Sequence, residues 1–151
     1  MTKPQERIEN DLKAAMRSGE KERVGTLRML LAEINNERIR AGEEVDEEGF
    51  FGLVRKAIKQ RREAAEQFRK GGREESAAKE EREAEILEAY LPEQVDEAEI
   101  RQAIAAFVDE HGLSGPPAMG PVMKEMMSRF AGRTDGSVVS RIAREILAAG
   151  R

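Results

Sequence analysis

The side chains best placed to bind something are the cations near the end of this sequence. Residues 116–151 hold Lys124, Arg129, Arg133, Arg141, Arg144 and Arg151 against Glu125, Asp135 and Glu145, a net charge of +3. The run Gly132-Arg133-Thr134-Asp135-Gly136-Ser137 comes just before a helical pattern. Backbone N–H groups at such a helix start, with a cation like Arg133 beside them, can hold a phosphate. A plainer reading of the same turn is favoured: Thr134 or Asp135 caps the helix, and a carboxylate at that terminus opposes an anion. At about 100° per residue, Arg141, Arg144 and Arg151 fall on the side away from Val138, Ile142 and Ile146. With aromatics at only 4% of the chain, such cations suit contacts to a nucleic-acid backbone and its shape, not to stacked bases.

Enzyme chemistry is thinly supplied. His111 is the only histidine, and beside Gly112 it reads as a helix C-terminal cap. No Gly-x-Ser-x-Gly, Gly-x-x-x-x-Gly-Lys-Ser/Thr or Gly-x-Gly-x-x-Gly occurs, so the common nucleophile and phosphate-loop signatures are missing. Without cysteine there is no disulfide, iron–sulfur or thiol chemistry. Carboxylates are plentiful but lie on Glu-rich helix surfaces, and no spacing favours a metal site. No catalytic, cofactor-binding or metal-binding residue is therefore assigned, and no cofactor is expected. Met119, Met123, Met126 and Met127, with Phe130, recur at helical spacing. They read as the core of a small unit, with an adaptable groove for a partner helix as the alternative.

The elements that must position these residues are helices almost throughout. The chain has 151 residues, 39% hydrophobic and 37% charged, enough for one ordinary core or two small ones. No apolar run approaches the ~18 residues of a membrane helix, and no secretion signal opens the sequence; a cytoplasmic protein is expected. Helical spacing predicts a first helix from about Pro4 to Arg17 (Ile8, Leu12, Ala15, Met16), with Thr2-x-x-Gln5 as a capping box. A second runs from about Lys21 to Ile39 (Val24, Leu27, Leu31, Ile34). A third carries Phe50, Val54, Ala57, Ile58, Ala65 and Phe68, and a fourth ends near Tyr90 with Ala77, Ala84, Leu87 and Leu91. Leu91-Pro92 is the expected domain boundary, giving parts 1–91 and 92–151. Beyond it, Asp96-x-x-Glu99 caps a helix with Ile100, Ile104, Phe107 and Val108. A short Met-rich helix follows, then a last one with Val138, Ile142 and Ile146, closing at Gly150. No strand pattern is present, so an all-α fold is expected.

Charge is unevenly spread along these helices. The net −4 of the chain conceals a block from Arg55 to Arg73 with eight bases and two acids, net +6. The block from Glu74 to Glu99 has eleven acids and two bases, net −9. Gly71-Gly72 between them favours a reversal of direction, so an antiparallel hairpin with paired charges is expected.

Three short motifs carry a family resemblance: Tyr90-Leu91-Pro92-Glu93-Gln94, Met119-Gly120-Pro121-Val122-Met123 and Gly132-Arg133-Thr134-Asp135-Gly136. With Thr26-Leu27-Arg28-Met29-Leu30-Leu31-Ala32-Glu33-Ile34, they resemble the YqeY-like proteins of the GatB/YqeY group, in order and over essentially the whole chain. Where the family often has Lys this chain has Pro121, and where it has Lys-Ala-Asp this chain has Arg133-Thr134-Asp135, which keeps the charge. The resemblance implies an all-helical protein with an N-terminal four-helix part, including a long antiparallel hairpin, and a C-terminal three-helix part. The latter is similar to the tail of GatB, a subunit of the amidotransferase that converts glutamyl-tRNA(Gln) to glutaminyl-tRNA(Gln). Related domains are appended to some glutaminyl-tRNA synthetases. The implied function is a non-catalytic, tRNA-binding accessory module, with tRNA and amidotransferase or synthetase components as partners. Its candidate tRNA-facing residues are Lys124, Arg129, Gly132, Arg133, Thr134, Gly136, Arg141 and Arg144. A helical protein-interaction adaptor is the alternative. A carbon–nitrogen ligase with glutamine as amide donor is implied only by the family label.

Overall fold

The computed structural model describes residues 3–149. The protein is all-α, with seven α-helices, one 3₁₀ turn and no strand among the described residues. It divides into two compact units, Met1–Leu91 and Pro92–Arg151, each with its own apolar core.

Unit 1 is built from α1 (Pro4–Ser18), α2 (Lys21–Ala41), α3 (Glu47–Lys70) and α4 (Glu74–Glu88). Gly19 ends α1 and Gly42 ends α2, at φ of 71° and 75°, a conformation glycine adopts without a Cβ clash. Asp46 starts α3, its carboxylate accepting the Gly49 N–H at 2.7 Å. The core joins Ile8, Leu27, Leu30, Ile34, Phe50, Val54, Ile58 and Leu87. Two sequence readings shift. Met16 is 51% exposed, because the last turn of α1 rotates it off the stripe of Ile8 and Ala15. Leu30, not Leu31, is the fully buried leucine in the middle of α2. Thr2 of the expected capping box lies outside the described residues.

The hairpin at Gly71-Gly72 forms as its charges require. Gly72 takes φ 76°, and α3 and α4 run back to back. Arg69 bonds Glu74 at 2.9 Å and Glu81 at 2.7 Å. Arg62 pairs with Glu88, and Arg61 lies 3.5 Å from Glu83. The guanidinium of Arg69 holds Glu81 below the usual carboxylate range.

Unit 2 comprises α5 (Glu97–His111), the turn Pro116–Ala118, α6 (Met119–Arg129) and α7 (Gly136–Ala149). Asp96 caps α5 through the Glu99 N–H at 2.9 Å, as its spacing predicts. His111 accepts the capping role, with Nδ1 3.0 Å from the Phe107 carbonyl. Val122 and Met126 are fully buried; Met119, Met123 and Met127 are half-buried against the same core. The Met stripe is thus core for the most part. On α7 the buried set is Val139, Ile142, Ala143 and Leu147, one position round from the expected face; Val138 and Ile146 flank it. Gly150 and Arg151 lie outside the described residues.

Candidate nucleic-acid interface

The turn between α6 and α7 is tied to the chain that leads into unit 2. Gln94 Nε2 donates to the Pro92 carbonyl at 2.7 Å and to the Gly132 carbonyl at 3.0 Å. The Val95 N–H donates to the Arg133 carbonyl at 2.9 Å. In return, Arg133 Nε donates to the Glu93 carbonyl at 3.0 Å. Two of the motifs read from the sequence therefore meet in space, Glu93-Gln94 against Gly132-Arg133. Gly132, at φ 74°, permits the sharp bend that aims its carbonyl at Gln94. Neither Glu93 nor Gln94 stands out by residue type in the sequence, because a main-chain clasp leaves no compositional signal.

This arrangement sorts the eight candidate residues. Arg133 is half-buried and one of its N–H groups is engaged by Glu93. Thr134 is only 6% exposed. Asp135 Oδ1 accepts from the Ser137 N–H at 2.9 Å and from its hydroxyl at 3.0 Å, while its carbonyl accepts from Val138 and Val139. That is the geometry of an N-cap, and its carboxylate places negative charge where a phosphate would have to dock. Gly136 opens α7 against the Met127 side chain, which a Cβ there would touch at an ordinary 3.7 Å.

The remaining cations stand on the helices. Arg141 pairs with Glu97 and lies 3.6 Å from Glu145. Glu145 also takes Arg101 at 2.8 Å, so α5 and α7 are laced by alternating charges. The hydrogen bond from Arg101 is the main reason that Glu145 is held below the usual carboxylate range. Arg129 bonds Glu125 at 2.8 Å within α6. Lys124 on α6 and Arg144 on α7 are exposed and have no ion pair among the described residues. Arg144 borders an apolar groove of about 220 Å³ lined by Gly115, Pro116, Met119, Leu147 and Ala148. Among the described residues no group of three or more acidic or histidine side chains is placed to hold a metal ion. No described helix is long and apolar enough to cross a membrane.

A chain from Pyrenophora tritici-repentis, named altered inheritance of mitochondria protein 41, mitochondrial, is 33% identical over 147 residues, covering 95% of this chain and 80% of that protein. The protein of the same name from Lachancea thermotolerans is 36% identical over 112 residues, 72% of this chain and 60% of that one. An uncharacterized protein of Schizosaccharomyces pombe is 34% identical over 86 residues, 57% of this chain and 70% of that one. The mitochondrial names of the first two correct the expectation of a cytoplasmic protein. The absence of cysteine bears on disulfide use and does not select a compartment. The model of the YqeY-like proteins matches residues 5–147, and the chain belongs to that family.

Proposed function

We propose that this protein is a non-catalytic, tRNA-binding accessory factor, linked to tRNA-dependent amidation, whose C-terminal unit is the interface. The observation that carries this reading is that Lys124 and Arg144, on α6 and α7, are exposed and have no ion pair among the described residues. Unpaired cations need no carboxylate displaced before they meet a phosphate. Arg129 and Arg141 are about half exposed, at 44% and 47% of their side-chain surface. Exposed pairs of this kind are weak, so both can exchange a carboxylate for a phosphate and add to the contact. The Asp135 cap directs the contact to side chains instead of the α7 terminus. Arg133, Gly132, Thr134 and Gly136 then shape the turn that holds α6 and α7 in place. What suggests tRNA as the nucleic acid, with amidotransferase or synthetase components as neighbours, is the implied likeness of the C-terminal three-helix part to the GatB tail.

Titration of labelled tRNA at about 50 mM and 200 mM salt tests the reading. Affinity is expected to fall steeply with salt, and Lys124→Gln/Arg144→Gln to reduce the log–log slope by about 2. No binding at the lower salt would sink it. A second reading, an adaptor that docks protein through unit 1, is favoured by Ile39, 75% exposed on α2. A partner that survives RNase treatment and is lost in Ile39→Glu would favour the adaptor.

A further inference from the structure

Arg61 lies on the core stripe of α3, only 8% exposed. Its Nε is 3.5 Å from Glu83 Oε2 but makes no hydrogen bond. One Nη2 donates to the sulfur of Met29 on α2. A thioether is a weak acceptor for a charged donor, so the Nε–H of Arg61 is unmet and its Nη2 only weakly met. Met29 itself is 38% exposed, so the residue that meets the buried guanidinium also reaches solvent. A cavity of about 20 Å³ adjoins them, with Thr26, Gln60 and Leu87 also in its wall. That is room for an atom the size of one oxygen.

We propose that Met29 is an oxidation site whose sulfoxide oxygen is received by Arg61. The oxidant is a hydroperoxide. The sulfur lone pair attacks the terminal oxygen, the O–O bond breaks as the S–O bond forms, and the oxygen's proton passes to the departing alkoxide, which leaves as alcohol, or as water from hydrogen peroxide. Sulfur loses two electrons and the peroxide gains them. Methionine oxidation ordinarily disrupts apolar packing by adding a polar group without a partner. At Met29 the partner is already present, and the weak N–H···S contact becomes a charge-assisted N–H···O bond. Met16, 51% exposed, is the reference for free access, and Met126, fully buried, for none.

Pulses of hydrogen peroxide on the full chain, followed by mass spectrometry of the α2 peptide, read sulfoxide and amide exchange together. Met29 is expected to oxidise at least about tenfold faster than Met126. The oxidised peptide should exchange no faster than the reduced one in the unsubstituted chain, and several-fold faster in Arg61→Lys, whose single-point donor lacks the guanidinium fork. If Arg61→Lys does not fold, Met29→Gln carries the test, because its carbonyl oxygen stands in for the sulfoxide; it is expected to melt above Met29→Leu. Oxidation of Met29 as slow as that of Met126, faster exchange after oxidation of the unsubstituted chain, indifference of Arg61→Lys to oxidation, or Met29→Leu melting at or above Met29→Gln would each overturn the proposal.

Discussion

The α3–α4 hairpin of unit 1 and the α6–α7 pair of unit 2 both carry runs of arginine, and they dispose of them differently. In the hairpin, Arg61, Arg62 and Arg69 each face a glutamate across the turn. Lys56, Lys59 and Arg73 stand outside these pairs, but the helix opposite opens the block of net −9. In unit 2 the acids Glu97, Glu125 and Glu145 engage Arg141, Arg129 and Arg101, while Lys124 and Arg144 remain unpaired among the described residues. Block charge is therefore a poor guide to binding. Both blocks keep exposed cations without an ion pair among the described residues; they differ in that the helix opposite the larger one opens a block of net −9.

If the two units are distinct cores, large truncations separate them most sharply. Leu87→Ala should destabilise unit 1, and Ile104→Ala unit 2, by about 2–5 kcal/mol each, since both side chains are at most 1% exposed. Hydrogen exchange resolved by peptide is the check: each loss of protection should stay within its own unit, and a loss spread over both would erase the distinction. A smaller effect is expected at the clasp. Gln94→Ala removes two hydrogen bonds to carbonyls and should cost about 1–2 kcal/mol, seen as faster exchange of the Val95 and Arg133 amides.

The smallest effect concerns acid. Glu22 and Glu81 of unit 1 and Glu145 of unit 2 are held below the usual carboxylate range, chiefly by hydrogen bonds from Arg82, Arg69 and Arg101. A depressed carboxylate adds stability that is complete above its ordinary value of 4.5 and is lost as pH falls through the lower folded value. Glu83 has the opposite sign: burial raises it, so its ionisation weakens unit 1 as pH rises through the ordinary carboxylate range. Arg69→Gln should therefore flatten the acid limb of unit 1 unfolding, followed by helical circular dichroism, and leave that of unit 2 unchanged.

The helices were largely legible in the sequence because their signals are local. Gly19 and Gly71-Gly72 mark turns, Asp96 marks a cap, and Ile100, Ile104 and Val108 recur every turn. What escaped depends on partners far along the chain. The Gln94–Gly132 bond spans 38 residues, and nothing local announces it. Arg61 does leave a trace, since it falls in step with Val54, Ala57, Ile58 and Ala65, but a charged residue on an apolar stripe is easily read as an interruption. Met16 was misplaced for the converse reason: it is apolar, yet the end of α1 turns it toward water. In the candidate interface, residue type located the cations, whereas only the fold distinguishes those bound to glutamate from those without an ion pair among the described residues.

The most direct test sets the two regions against each other in one tRNA titration at low salt. Lys124→Gln/Arg144→Gln and Arg62→Gln/Arg69→Gln each remove two positive charges, so net charge is matched. The expected result is that the first pair weakens binding by about tenfold or more and the second by less than about twofold. Equal losses from both pairs, or a greater loss from the hairpin pair, would contradict the assignment of the interface to unit 2.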